Sequence, residues 1–506
     1  MAYSAFKTYT QEHGGRVIIL FLLFLLALYQ FYSSGFSMYA VICISPLFVL
    51  FIRMAFQHKM LLFWILFSVN YLIQWKSRPE FSFPVSLPNE MLEICLLILA
   101  LIDVTDRHFS RAGNIMFFAV ISWAVFCTLE LLNDTCSLGI NVGAWFTGAR
   151  MMSFQLVYIV LVFSIYISTS QILRRYLFLW SCFALFSVFW VWKQQTFGFT
   201  SGENAWLQGP GSATHILQAG TLIRYFSTYS DAANYGIGIA STAVAFVIFG
   251  ITSKIKKYKY LFIATGCACI WGMFPSGTRT ATACLIVGFM TYIFLSKSFK
   301  IAIPFTIIFA LFAFILIFTK IGDGNQQIRR MRSTFNKNDA SANVRTMNQQ
   351  VMKKYMKDAP WGIGIGMGWE NVPANNKFRK MATIPPDSEY VFIWLRTGII
   401  GITLFILLTA IMFIGACWIV LFVIKNPSLR GIGSGFCCAF ISQQLGGYGN
   451  QVLMQFPNGL LFYGGLTIVY ILPYLEKEWI EWENKELAIQ EEKKRLKLEK
   501  KLASRV

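Results

Sequence analysis

Apolar runs, each about as long as a helix that crosses a bilayer, recur from Val17 to Leu475 with short polar connections between them. They fall near 17–33, 37–52, 60–75, 91–104, 114–132, 153–169, 176–192, 232–251, 260–275, 281–295, 301–319, 389–424, 432–448 and 457–475, about fourteen helices in all. The run 389–424 is too long for one straight crossing, so a break is expected at Gly398 or Gly401. The pattern predicts an all-α polytopic membrane protein, with a single integral membrane domain over 1–475 and a charged helical tail over 476–506. One long polar segment lies between two spans, from Lys320 to Ser388, and is expected to form an external (periplasmic) loop.

Within that loop Val344, Met347, Val351 and Tyr355 recur at helical spacing, which predicts a helix over 341–357. Asp339 and Ser341 are suitable N-caps, and the helix must stop before Pro360. The following run Trp361-Gly-Ile-Gly-Ile-Gly-Met-Gly368 has neither the strand-to-helix setting of a dinucleotide loop nor a Gly-Lys-Ser/Thr sequence. It reads as a flexible or tightly packed turn that lets backbone approach another element.

Composition agrees with this architecture: 56% of the 506 residues are hydrophobic, the mean hydropathy is +0.55, and a water-soluble core could not hide so much apolar surface. The first apolar run lacks a convincing cleavage site and reads as a span. A net charge of +20 suggests nucleic acid in a soluble protein, but in a membrane protein lysine and arginine collect in cytoplasmic connections. Alternate connections here carry Lys7/Arg16, Arg53/Lys59, Arg107/Arg111, Arg174/Arg175, Lys254–Lys259, Lys297/Lys300 and Lys425/Arg430, and the tail is lysine-rich. Both termini are therefore expected inside, with 193–231, 276–280 and 320–388 outside. The 11 cysteines show no Cys-x-x-Cys pair, and His13, His58, His108 and His215 form no ligand pattern, so neither a metal nor a cofactor is expected. The tail after Glu476 keeps Trp482, Ile489 and Leu496 seven apart, which suits either a short coiled-coil contact or a solvated helix that anchors topology.

Between Lys320 and Asp387 there are 12 Lys/Arg and 5 Asp/Glu, a net +7. Attraction to anionic lipid headgroups and capture of an anionic substrate both account for it. Arg345 sits beside the apolar stripe of the loop helix, near its N-terminus, where a cation gains nothing from the helix dipole. Arg224, Arg279 and Arg396 lie before, at the mouth of, and inside spans. Guanidinium forks match phosphate oxygens bidentately, so convergence of such arginines would suit a diphosphate, whereas each taken singly is equally an interfacial anchor.

Several stretches resemble, in order, the superfamily of O-antigen polymerases and O-antigen ligases. They are Arg224 with Ser230-Asp-Ala-Ala-Asn-Tyr235, Ser276-Gly-Thr-Arg279-Thr-Ala, Asn343-Val-Arg345 leading to Ala359-Pro-Trp-Gly-Ile-Gly-Ile-Gly366, and Asp387-Ser-Glu-Tyr390 followed by Arg396-Thr-Gly398-Ile-Ile-Gly401. The resemblance implies metal-independent glycosyl transfer on the outer face of the bacterial inner membrane, from a glycan linked through diphosphate to undecaprenol. It assigns the diphosphate to Arg224, Arg279 and Arg345. The ligases carry a histidine followed by Asn before the Gly-x-x-Gly, and here Asp387 and Ser388 take those places, which favours a polymerase over a ligase. Asp387 or Glu389 is then the expected base for the acceptor hydroxyl. The implied partners are the undecaprenyl-diphosphate-linked oligosaccharide and membrane lipids, with a chain-length regulator protein as a further candidate and no nucleic acid. A lipid-linked oligosaccharide flippase is the rival class, and the long loop and the scarcity of charge in the spans argue against it.

Overall fold

Polar caps mark where the apolar runs turn into helices. The side chains of Asn114, Thr169, Asp231 and Asn426 each accept backbone N–H groups at the start of a helix, and Pro427 occupies a first-turn position where its missing donor costs nothing. The computed structural model describes residues 57–77, 85–103, 108–217, 222–297, 340–384 and 388–503, with isolated positions between 14 and 53 and between 303 and 324. The spans expected over 17–33, 37–52 and 301–319 lie largely outside the described residues. The chain divides into two units, Met1–Ile65 and Leu66–Val506. The boundary falls inside α1 (Lys59–Leu72), and the second unit carries everything that follows.

Its helices are α2 (Leu87–Ile102), α3 (Ile115–Leu129), α4 (Val142–Ala149), α5 (Gln155–Tyr166), α6 (Ser170–Thr196), α7 (Ser201–Gln208), α8 (Ala232–Thr252), α9 (Lys256–Met273), α10 (Arg279–Leu295), α11 (Ala340–Met356), α12 (Glu389–Trp418), α13 (Pro427–Gly449) and α14 (Asn458–Ala503). Strand structure among the described residues is a two-residue hairpin, Ile216–Leu217 with Leu222–Ile223. Six helical stretches there are long and apolar enough to cross a membrane: Ile115–Leu132, Val142–Tyr166, Ser170–Thr196, Ala232–Thr252, Glu389–Val423 and Asn458–Leu496. The protein is thus an all-α membrane protein. The second of these stretches begins earlier than the hydropathy pattern indicated. Asn141 caps α4, and a π-helical turn over Arg150–Phe154 joins α4 to α5 without a break.

α8 lies at the centre and packs against α9, α10 and α13. α13 in turn meets α10 and α14, while α12 packs on α3 and α13. Lipid tails supply no hydrophobic drive between helices, so close van der Waals contact must hold them, and small residues permit it. Gly435 of α13 shows the geometry: a Cβ there would run into the ring of Phe249 and lie 3.1 Å from the Ala245 carbonyl of α8.

Hydrogen bonds between connections sort them to two ends. At one end α14, about 70 Å long by its 46 residues, outruns the ~30 Å hydrocarbon layer. There its carboxylates hold the neighbouring connections. Glu476 accepts from Lys425 N (2.7 Å) and Asn426 N (2.6 Å), Glu478 from Ser170 N (2.8 Å), and Glu483 from Asn426 Nδ2 (2.9 Å) and Lys254 Nζ (2.9 Å). Trp482 is taken up by Trp479, Tyr258 and Arg174 of this same protein, while Leu496 further along the tail is half exposed.

At the opposite end, called here the loop end, the glycine run of the long loop meets a broken helix. α12 is interrupted at Gly398, with φ 67° and ψ −167°. The break frees the carbonyls of Leu395 and Arg396 and the amide of Ile400. Ile363 N donates to Leu395 O (3.0 Å), Gly364 N to Arg396 O (3.1 Å), and Ile400 N to Pro360 O (3.4 Å), so the glycine run replaces the lost helical partners. Gly362 (φ 79°) and Gly398 abut each other's backbone so closely that a Cβ on either would collide. Around this contact Met352, Met356, Ala359, Ile363, Met367, Phe378, Met381, Leu395 and Cys136 form a small core of their own. The helix expected over 341–357 is α11, over Ala340–Met356.

Gly398→Ala should therefore lower the melting temperature of the purified protein well beyond the left-handed backbone cost of about 1–2 kcal/mol. Gly139→Ala supplies the reference, because Gly139 has φ 75° with nothing within 4 Å. Equal shifts for the two variants would show that the glycine contact contributes nothing.

Candidate functional site

The connection over 197–231 is built before it can hold anything. Thr200 and Glu203 form a capping box at the start of α7, and Phe226, Leu207 and Ala232 make a local core with Trp206, Ile216 and Ile223. His215 is buried in this segment at 2% exposure, edge-on to Trp206 (4.8 Å) and Phe226 (5.6 Å). Its Nε2 accepts from Ala232 N at 2.9 Å, so the ring proton sits on Nδ1, which faces Gly211 O (3.2 Å) and Thr214 Oγ1 (2.8 Å). Asp231 Oδ1 takes the next two amides of α8, Ala233 N (2.7 Å) and Asn234 N (2.9 Å). The first amides of α8 are thereby satisfied by side chains.

Arg224 crosses from this segment to the turn before α10. Its Nε donates to Ser276 O (3.1 Å), its Nη1 to Thr214 O (3.0 Å) and its Nη2 to Thr278 Oγ1 (3.0 Å). Tyr225 N to Pro275 O (3.2 Å) and Thr278 Oγ1 to Ala232 O (2.8 Å) complete the joint. Arg279 follows Thr278 as the first residue of α10, so Arg224 and Arg279 meet on one turn.

The connection between α13 and α14 borders the same corner. Ser230 Oγ bonds Gln455 Oε1, Asn234 Nδ2 donates to Phe456 O (2.9 Å), and Asn458 Nδ2 to Asn234 O (3.0 Å). Glu389, at 4% exposure, accepts from Leu453 N at 3.0 Å, while Ser388 Oγ donates to Gly447 O (3.1 Å) and Tyr390 OH to Gln444 Oε1 (3.0 Å). The start of α12 is thus fastened through 449–456 to the start of α8. A Glu389 carboxylate occupied by backbone amides holds this connection in place.

Of the residues singled out from the sequence, Arg224, Arg279 and Glu389 border this polar corner. Asp387 lies outside the described residues, as does the side chain of Arg345, whose backbone is in α11. Arg396 is carried by α12 further along, beneath the glycine run. His215 and Gln455 were not singled out as site residues. No spacing rule reaches from 215 to 232 or from 230 to 455.

Burial pushes the His215 ring down to about 4, and Arg224 and Lys76 add to this against the opposing pull of Asp231 and the Gly211 carbonyl. A histidine neutral in the fold and near ~6.5 when unfolded leaves stability at its full value above ~6.5 and removes it as pH falls from there through about 4. Melting temperatures measured from pH 8 to pH 4 should show that acid loss, and His215→Gln, which can accept from Ala232 N without titrating, should flatten it.

No curated protein matches the chain. Residues 264–406, from α9 into α12, match the family model described as O-Antigen ligase. The match takes in Arg279, Arg345, Asp387, Glu389 and Arg396 and leaves Arg224 and His215 outside it. It supports a glycan-processing enzyme of the bacterial envelope with a glycosyltransferase-like activity. Over residues 264–406 the chain carries a domain of the O-antigen polymerase and ligase superfamily.

Proposed function

We propose that the protein is a polymerase that joins polyprenyl-diphosphate-linked oligosaccharide repeat units on the outer face of the bacterial inner membrane. The observation that carries this reading is the corner at which Arg224, held by three hydrogen bonds, meets the turn that leads into Arg279. A guanidinium fixed beforehand loses little freedom when it binds, which suits a diphosphate leaving group. The departures at Asp387 and Ser388 from the ligase histidine and asparagine favour polymerisation over transfer to lipid A core.

In this mechanism Asp387 takes the proton of the acceptor sugar hydroxyl. The oxygen attacks the anomeric carbon of the donor, the bond to the diphosphate breaks, and the configuration inverts. The polyprenyl diphosphate leaves with the bonding pair, its charge held by Arg224, Arg279 and Arg345. Glu389, occupied by Leu453 N, positions the neighbouring connection in preference to acting as the base.

Arg224→Lys and Arg279→Lys keep the charge and lose the fork, so each should cut polymer formation by about tenfold or more with normal membrane insertion. Full activity in both would mark these arginines as lipid anchors. Asp387→Asn should abolish polymer, and full polymer length from an inserted Asp387→Asn protein removes Asp387 from the mechanism. Gel profiles of surface glycan from a deletion strain separate the classes: single repeat units on the surface lipid accompany loss of a polymerase, and none accompany loss of a flippase.

A further inference from the structure

Arg396 is in an unusual position for a cation. It lies in α12 two residues before the break at Gly398, and its backbone carbonyl is the one that Gly364 N reaches. Although the residue is partly exposed, Nε and Nη1 are buried and make no hydrogen bond. Its surroundings are the Phe392 ring, 5.3 Å from Cζ, the Cys136 thiol, and the backbone at Gly368, where a Cβ would lie 3.8 Å from Nη2. The carboxylates on the adjoining connection are engaged elsewhere: Glu130 accepts from Asn133 Nδ2 (2.7 Å), and Asp134 accepts from Leu138 N (2.8 Å) and Gly139 N (3.0 Å) in its own turn. Among the described residues no carboxylate pairs with this guanidinium. A buried charge without a partner is costly, and a fold that keeps one needs an anion to offset it.

Arg396 lies further along α12 than Glu389, beneath the glycine run, and takes no part in the hydrogen bonds that hold Arg224 to Ser276, Thr214 and Thr278. The roof over Arg396 is the small lobe built from the glycine run and 372–381, and it displays Trp361 (49% exposed) and Trp369 (60% exposed). Trp361 stacks one face on Phe126 (6.2 Å between centroids), while Trp369 directly follows Gly368, the backbone near Nη2, and an exposed indole that close along the chain to a cation suits a sugar ring bearing an acidic group.

We infer that Arg396 binds an oxyanion carried by the glycan itself, a carboxylate or phosphoryl substituent on a sugar, in a subsite distinct from the one that holds the lipid diphosphate. The inference rests on the glycan-polymerase reading for the identity of the ligand, and on the geometry alone for its charge. It makes Arg396 a determinant of which repeat unit is accepted.

The test uses full-length protein in nanodiscs of zwitterionic lipid, titrated with glucuronic acid, glucose 6-phosphate and glucose, and read by melting temperature and tryptophan fluorescence. Either or both acidic sugars should raise the melting temperature and change the fluorescence, while glucose leaves both unchanged. Arg396→Met should weaken that response at least about tenfold without lowering the ligand-free melting temperature, because it removes an unpaired buried charge. Arg396→Lys provides a second variant that keeps the charge and should bind more weakly than the parent. Inorganic pyrophosphate should still bind Arg396→Met, and Arg224→Lys should weaken pyrophosphate but not the acidic sugars. An undiminished acidic-sugar response in Arg396→Met overturns the inference, as does a response seen only when anionic lipid is added, which would make this a headgroup site. Loss of both ligands in Arg224→Lys would reduce the two subsites to one. Because binding is read without turnover, a failed polymer assay for Arg224→Lys bears on the enzymatic reading and leaves this result standing.

Discussion

A backbone amide or carbonyl freed inside a membrane protein must find another partner, and the loop end of this molecule is built around one such exchange. At Gly398 the helix gives up its own pairing, and Pro360, Ile363 and Gly364 supply what was lost. The exchange explains why both segments are glycine at the crossing: the two backbones approach so closely that a Cβ on Gly362 or Gly398 would collide with the other. It also converts a stretch of the long polar loop into a lobe with its own core of methionine, isoleucine and phenylalanine, docked on α12. Arg396 lies beneath that lobe, with its Nε and Nη1 buried and the residue partly exposed.

The polar corner at the start of α8 follows a different rule. Helix N-termini attract anions because their amides are unpaired, yet here His215 and Asp231 occupy those amides. The cationic character of the corner comes instead from Arg224 and Arg279, whose placement depends on the Ser276–Thr278 turn. Capping fixes the helix start, and the Arg224 guanidinium is tied into the same frame through Ser276, Thr214 and Thr278. The carboxylates at the opposite end do comparable work: Glu476, Glu478 and Glu483 of α14 fasten three connections.

The sequence by itself determined the all-α membrane class, the position of α11, the break in α12 and the tight packing of the glycine run, because these depend on local rules: apolar period, caps, proline and the absence of a Cβ. It also pointed to Arg224 and Arg279, through short motifs beside span mouths.

What tertiary structure decided was pairing across long separations. His215 with Ala232, Ser230 with Gln455, Glu389 with Leu453 and Glu483 with Lys254 join residues that no local period links. Glu389 could be read from the chain as a catalytic base, and only the tertiary structure showed its carboxylate buried against Leu453 N. Arg396 was grouped with Arg224 and Arg279 by sequence, and only the packed structure showed its Nε and Nη1 buried without a hydrogen bond. Trp482, spaced for a partner helix, was claimed by Tyr258 and Arg174 instead. Local sequence specifies which backbone groups a segment must satisfy. Which distant group satisfies them, and which charge is left for a ligand, is settled only when the helices pack.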